Sequence, residues 1–353
     1  MPLHRSASPA SQARPFTPPS VESISVGYVF VTRRVPGRAV DLLREAGHDV
    51  TVWPEDLPPS PTALRDNLLE ADAALTLVTD PVGPDLLAAA PRLRVVANMA
   101  VGYDNLDAEA AAAAGVWATN TPGVLHETTA DLAFALLLAA ARNLVLSDRD
   151  TRDGGWVTWS PTAFLGHDPY GSTLGIVGLG EIGRAVARCA AGFGMTVLAA
   201  TRTPRTEVER ELGVERVPLP ELLARSDFVS IHVPYGPETE GLMGAAEFAA
   251  MKETAILVNT ARGGVVDQDA LVRALRAGAI GGAALDVTVP EPLPLDHPLY
   301  GFPNVTITPH IGSASHATRA RMAEMAARNI IAVLAGEEPP NPVNRPPAPR
   351  PPA

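Results

Sequence analysis

The chain has 353 residues, of which 46% are hydrophobic and 19% charged, and its formal net charge is −11. That is enough apolar sequence for a large core spread over one or, more readily, two domains, while the acidic balance argues against nucleic acid or an anionic membrane as a partner. The one cysteine, Cys189, rules out an internal disulfide and suits a reducing compartment, the cytoplasm by default.

The chain opens on "MPLHRSASPASQARPFTPPSVES", rich in Pro and Ser and without the apolar core of a secretory signal, so residues 1–25 read as a disordered tail. From Gly27 short apolar runs alternate with helical ones. "GYVFVTRRV" is strand-like, "GRAVDLLREAG" helical, "HDVTVW" and "AALTLVTD" strand-like, and "LRVVANMAVGYDNLD" a strand followed by a loop. Such alternation predicts parallel strands joined by crossover helices. "TTADLAFALLLAAARNLV" predicts a long apolar helix from about Thr128. Its most apolar part, residues 132–141, is too short to cross a bilayer and suits a buried or subunit-interface helix. The loop-like "DGGWVTWSPTAFLGHDPYGS" separates this first series from a second, which begins at Thr173 and continues through "TAILVNTA", "GAALDV" and "NVTITPHIGS". "ATRARMAEMAARNIIAVLAG" predicts an amphipathic helix over residues 317–336. "EEPPNPVNRPPAPRPPA" closes the chain as a second Pro-rich stretch, also read as a disordered tail. The fold class expected is α/β, with two units of parallel sheet.

Within the second series, "TLGIVGLGEIGRAVARCAAGFG" places Gly178, Gly180 and Gly183 in a GxGxxG pattern, entered by an apolar strand and left by a helix. The first glycine permits the tight turn, the second lets backbone approach a pyrophosphate, and the third lets the helix pack on its strand. Leu179, Glu181 and Ile182 occupy the intervening positions at the helix amino terminus, where phosphate is favoured. An NAD site places Asp or Glu about 20 residues beyond the motif to accept from the ribose 2′-OH. This chain has Thr201 there, followed by Arg202, Thr203 and, further on, Arg205. A carboxylate repels a 2′-phosphate, whereas these residues bind one through charge-assisted hydrogen bonds, so NADP(H) is expected to be preferred with NAD(H) possible.

Three further segments, "NTARGGVVDQDAL", "LDVTVPEPLPLDHPLY" and "VTITPHIGSAS", lie at predicted strand ends, where open α/β sheets form their ligand crevice. Together with "NMAVGYDNLD", "GGWVTWSP" and "VGLGEIG", in that overall order, they make residues 27–342 resemble the D-2-hydroxyacid dehydrogenase family and, more closely, its glyoxylate/hydroxypyruvate reductase branch. The resemblance implies a flavodoxin-like substrate domain (26–122 and 316–340) and a Rossmann NAD(P)-binding domain (123–315) across a deep cleft, with 341–353 as a tail. It places the family's catalytic arginine, glutamate and histidine on Arg262, Glu291 and His310. Reducing a 2-oxo acid needs hydride at the carbonyl carbon and a proton at its oxygen, which asks for an acid active near neutral pH, as histidine is. A carboxylate neighbour stabilises an imidazolium and fixes its orientation, which suits Glu291. A guanidinium holds the substrate carboxylate and the developing oxyanion in a fork that lysine lacks.

By the same resemblance Val101 and Gly102 offer backbone N–H groups to the substrate carboxylate. Thr128 and Asp286 hold the nicotinamide carboxamide or its ribose, and Thr260 and Ala261 lie along the cofactor. Trp156 and Trp159 line a substrate pocket or a subunit interface. His126 reads as a hinge residue beside the cofactor, and His297 and His316 as local structure. Val289 stands where relatives often carry an acid, which would alter the pocket's charge. The expected enzyme is an NAD(P)H-dependent reductase of small 2-oxo acids, a homodimer without nucleic-acid or membrane partners. The rival readings are a phosphoglycerate-type or branched-substrate dehydrogenase of the same family and a cofactor-sensing, corepressor-like binding protein.

Overall fold

The structure, a computed structural model, describes residues 26–351, so the N-terminal tail lies outside the described residues. The first series forms β1 (Tyr28–Val31), α1 (Ala39–Glu45), β2 (Asp49–Val52), α2 (Pro61–Leu69), β3 (Ala73–Thr76), α3 (Pro84–Ala89), β4 (Val95–Asn98), α4 (Ala108–Ala113) and β5 (Trp117–Thr119). Its parallel sheet runs β2-β1-β3-β4-β5. β3 and β4 are buried at every position, the pattern of strands covered by helices on both faces.

The next two helices are α5 (His126–Ala141) and α6 (Leu144–Arg152). The sequence predicts one long helix here. The chain instead bends by 64° between the two, at Asn143, whose φ of 52° lies in the left-handed region. α5 is buried within the protomer: Ala130, Ala133, Phe134 and Leu137 pack on the second sheet, and the Phe134 ring lies 4.9 Å from that of Phe193. No single described helix is long and apolar enough to cross a membrane.

The second series comprises β6 (Thr173–Val177), α7 (Glu181–Gly192), β7 (Thr196–Ala200), α8 (Thr206–Leu212), β8 (Val214–Arg216), α9 (Leu219–Arg225), β9 (Phe228–Ile231), α10 (Ala245–Ala250), β10 (Ile256–Asn259), α11 (Gln268–Ala277), β11 (Gly282–Leu285) and β12 (Val305–Ile307). Its seven strands run β12-β11-β10-β9-β6-β7-β8, all parallel. The last helix, α12 (His316–Leu334), starts at a Ser315 cap whose hydroxyl accepts from the Thr318 N–H, a contact worth about 1 kcal/mol. It returns to the first sheet, where Met322, Ala326, Ile330 and Val333 join the core formed by Val29, Val31, Leu75 and Val95. The chain therefore crosses between the two sheets twice.

The Pro-rich end departs from the sequence reading, because residues 341–351 are docked on the first lobe. The Val343 N–H donates to Ala118 O at 2.8 Å, and Asn344 Oδ1 accepts from the Ala118 N–H at 2.8 Å, which pairs the free edge of β5. Arg350 Nε donates to Ala114 O at 2.8 Å, and Nη1 to Leu93 O at 2.8 Å and to Ala90 O. The Ala90 and Ala114 carbonyls close α3 and α4, where a cation is favoured by the helix dipole. Proline supplies no N–H, so a strand pattern is invisible here, and the asparagine and arginine side chains provide the missing donors.

Candidate active site

The carboxyl ends of both sheets face one another across a cavity of about 1560 Å³. The loops after β3, β4 and β5 line it from one side, and those after β6, β9, β10, β11 and β12 from the other. This is the crevice in which open α/β sheets bind ligands.

The glycine turn has the shape a dinucleotide requires. Gly178 has a φ of +98°, and a Cβ there would lie 2.7 Å from His232 O, so no side chain fits. A Cβ on Gly183 would collide with Gly178 O, where α7 crosses the strand end. At Gly180, by contrast, nothing lies within 4 Å of the place a Cβ would occupy, which leaves open space at the amino terminus of α7 for an approaching pyrophosphate. Gly180, Glu181 and Ile182 line the cavity, while Leu179 is buried behind them at 2% exposure. Thr260 Oγ1 is buried without a partner and Thr260 and Ala261 both line the cavity, so the backbone and side chains along this wall fit a nicotinamide dinucleotide.

Thr201, Arg202 and Thr203 follow β7 and are not among the residues that line the cavity. Thr201 Oγ1 donates to Thr203 O at 3.3 Å, and the guanidinium of Arg202 pairs with Glu238, from the loop after β9. Arg205 opens α8, its N–H donating to Glu209 Oε1 at 2.9 Å.

The catalytic candidates converge. His310 Nδ1 lies 2.8 Å from Glu291 Oε2, and both residues line the cavity with Arg262. Because Nδ1 is engaged by the carboxylate, Nε2 is the ring nitrogen left to exchange a proton. Burial alone would raise the carboxyl pKa of Glu291, but the hydrogen bond and charge of His310, the Thr288 N–H and the Arg262 guanidinium outweigh it and hold the group below its ordinary value. The loop around Glu291 carries two cis peptides, Val289–Pro290 and Glu291–Pro292. His310 itself has a φ of 52°, a backbone conformation that costs a non-glycine residue on the order of 1 kcal/mol and that its neighbours must enforce. Asp286 does so: its carboxylate accepts from Thr308 Oγ1 at 2.6 Å, Ile311 N at 2.8 Å and Gly312 N at 2.8 Å. Asp286, which the family resemblance assigns to the cofactor, lines the cavity, and its buried carboxylate also shapes the His310 turn.

Arg262 reaches across the cavity to the first lobe. Its Nε donates to Asp104 Oδ1 at 3.0 Å, and its Nη1 to Ala261 O at 2.9 Å. A Cβ on Gly102 would collide with Nη2, so the guanidinium rests directly on the glycine backbone. The carbonyls of Val101 and Gly102 are drawn back by Asn120 Nδ2 at 2.8 Å and Asn98 Nδ2 at 3.2 Å, and Asn98 is tied in turn to Asn105 at 3.0 Å. On the opposite wall Asn259 fixes the turn into Arg262, accepting from Ala261 N and donating to Arg262 O. Sequence reading missed Asp104, Asn98, Asn120 and Asn259. For Asn98, Asp104 and Asn259 the only signal was a polar residue inside a quoted motif, and Asn120 lay outside them.

Other assignments fall elsewhere. Thr128 turns away from the cavity and shares a 2.7 Å hydrogen bond with Thr318 of α12, while its neighbour Thr129 lines the cavity. Trp156 and Trp159 are 69% and 78% exposed and do not line the cavity, which removes the pocket-lining option within one protomer. Val289 is 52% exposed and also lies off the cavity, so it does not alter the charge of the pocket lining. Of the other histidines, His297 caps a 3-10 turn through Leu299 N and His316 begins α12, whereas His126 lines the cavity. His232 lines it too, but burial pushes its pKa down to about 3, which removes it as a proton donor near neutrality.

A paired-sheet fold, a glycine turn fitted to a dinucleotide and an Arg–Glu–His group on the opposite end of the same cavity define an NAD(P)-dependent oxidoreductase. Residues 134–312 match the family described as D-isomer specific 2-hydroxyacid dehydrogenase, NAD binding domain. The chain is 53% identical to a glyoxylate reductase of Korarchaeum cryptofilum over 318 residues, 90% of this chain and 96% of that one. A Thermus thermophilus protein of known structure superimposes with a TM-score of 0.85 at 49% identity, over 90% of this chain and 99% of that one. The NADPH-dependent glyoxylate/hydroxypyruvate reductase of Sinorhizobium meliloti, solved with NADP and malonate, gives 0.79 at 33% identity, over 93% and 99%. The chain belongs to the D-isomer specific 2-hydroxyacid dehydrogenase family.

Proposed function

We propose that the protein reduces glyoxylate and hydroxypyruvate to glycolate and D-glycerate, with NADPH preferred over NADH. The observation that carries this reading is the meeting of Arg262 with Gly102 and Asp104 beside the Glu291–His310 pair, on the cavity that also holds the glycine turn. The first lobe, residues 26–122 and 316–340, is assigned to the substrate, and residues 123–315 to the cofactor. The Val101 and Gly102 N–H groups and the Arg262 fork hold the substrate carboxylate, and the same guanidinium stabilises negative charge on the keto oxygen. Nε2 of His310 delivers the proton to that oxygen, and Glu291 orients the ring through Nδ1 and stabilises its charged form. A bound nicotinamide supplies the hydride. Closure of the two lobes, through their two crossings, excludes water from the reacting carbonyl.

Support for glyoxylate and hydroxypyruvate comes from the relatives' names and from a match that spans nearly their whole length. For NADPH it comes from Thr201, Arg202 and Thr203 standing where an acid is absent. The test is to follow nicotinamide absorbance with NADPH and a panel of 2-oxo acids. Glyoxylate and hydroxypyruvate are expected to turn over fastest. Faster turnover of a branched or phosphorylated acid selects a different substrate class, and no turnover with any acid selects a sensor. Leu144, Val145, Trp156, Val157, Trp159 and Leu165 are apolar and exposed, which suits a homodimer surface. A monomer in sedimentation equilibrium at micromolar concentration would contradict it. The single cysteine suits the cytoplasm, which cell fractionation checks.

A further inference from the structure

The end of β7 carries no carboxylate for an adenosine ribose, yet a carboxylate stands beside it. Glu238 belongs to the turn after β9, on the other side of β6 in the sheet order, and its side chain pairs with Arg202 of the segment after β7. The turn that carries it is held by backbone. Thr239 N and Glu240 N each donate to Gly236 O at 2.9 Å, Thr239 Oγ1 donates to Pro234 O at 2.6 Å, and Gly241 N donates to Gly264 O at 2.9 Å. The partner side is held as well, through Thr201 Oγ1 and Thr203 O. Both turns are thus held by their own hydrogen bonds, while the two paired side chains are 76% and 73% exposed.

We propose that Glu238 is the residue that sets the NADPH-to-NADH preference, by supplying from the neighbouring loop the carboxylate that β7 lacks and by competing with a 2′-phosphate for Arg202. This rests on the reading of Arg202 as the phosphate-binding residue. With NADH, Glu238 is placed to accept from the ribose 2′-OH, the role of the acid found after this strand in NAD sites. With NADPH, the phosphate must displace Glu238 from the guanidinium and then sit near a like charge. The outcome is a site that accepts both nucleotides, with its preference for NADPH held below what Arg202 alone would give.

The test measures dissociation constants for NADPH and NADH, without substrate, by nicotinamide fluorescence for the wild type, E238Q and R202A. An exposed ion pair, opened in water, has a modest effect, so E238Q is expected to raise the NADPH-to-NADH affinity ratio by about 1.5- to fivefold, more at low salt than at high. R202A is expected to lower that ratio. An unchanged or lowered ratio in E238Q overturns the role of Glu238, whatever R202A does. Equal weakening of both nucleotides by R202A overturns the phosphate assignment instead, so the two failures are read from different variants. An unchanged melting temperature in E238Q confirms that the effect is local.

Discussion

The cavity that gathers the catalytic candidates and the segment after β7 are built in different ways. In the cavity, Glu291, His310 and Arg262 are fixed by buried or backbone partners: Asp286 shapes the His310 turn, Asn259 the Arg262 turn, and Asn98 and Asn120 the facing loop. After β7, off the cavity lining, Arg202 and Glu238 pair in solvent. Low dielectric and satisfied hydrogen bonds make the first arrangement nearly all-or-none, whereas water and salt make the second adjustable by small amounts. The proposed chemistry thus stands where geometry is rigid, and the proposed cofactor preference where it is tunable.

That contrast can be broken first at Gly102. A Gly102→Ala methyl meets the far end of a flexible arginine rather than backbone, so the fold tolerates it while Arg262 is pushed off its position. We expect kcat/KM for the 2-oxo acid to fall about 100-fold, since displacements of about 1 Å in catalytic groups cost that much, with NADPH affinity and melting temperature little changed. A large loss of stability would mean that the loop, not the guanidinium, yields.

Glu291→Gln sharpens the comparison through pH. Because the folded carboxyl lies below its ordinary value of 4.5, its contribution to stability is complete above 4.5 and is lost as pH falls through the depressed folded value. The melting temperature of Glu291→Gln is therefore expected to lie below wild type near pH 7 and to converge with it in acid. Turnover should fall by about tenfold or more near neutrality, because the amide no longer stabilises a charged imidazole. A melting difference that grows toward low pH would contradict the sign.

The smallest catalytic effect is expected far from both regions, at Arg350. Arg350→Ala leaves the carbonyls of Leu93 and Ala114 without this donor, which should cost about 1–3 kcal/mol of stability with kcat and cofactor affinity near wild type. Denaturant unfolding and steady-state assays on the same preparation decide it.

What was legible in the sequence follows the same divide. The glycine turn could be read because its function lies in consecutive backbone positions between a strand and a helix, and Arg262, Glu291 and His310 because their segments, at predicted strand ends, resemble the family's motifs. Contacts between distant segments left no local trace. Asp104 meets Arg262 across 158 residues, and the Pro-rich end reaches α3 through side chains rather than a strand pattern. Thr128 shows a finer limit. Adjacent helical positions differ by about 100° in direction, so choosing Thr128 over Thr129 selected the face toward α12 instead of the cavity. The apolar run that predicted one helix became two because Asn143 adopts a left-handed conformation that hydrophobicity does not encode.

The most direct test compares His310→Ala and Arg202→Ala side by side, measuring single-turnover oxidation of bound NADPH by glyoxylate together with the NADPH dissociation constant. His310→Ala should slow the turnover step by about 100- to 10,000-fold with NADPH binding intact, and Arg202→Ala should weaken NADPH binding while the step, at saturation, stays near the wild-type rate. Wild-type turnover in His310→Ala, or loss of cofactor binding there instead of chemistry, would contradict the assignment of proton transfer to this histidine.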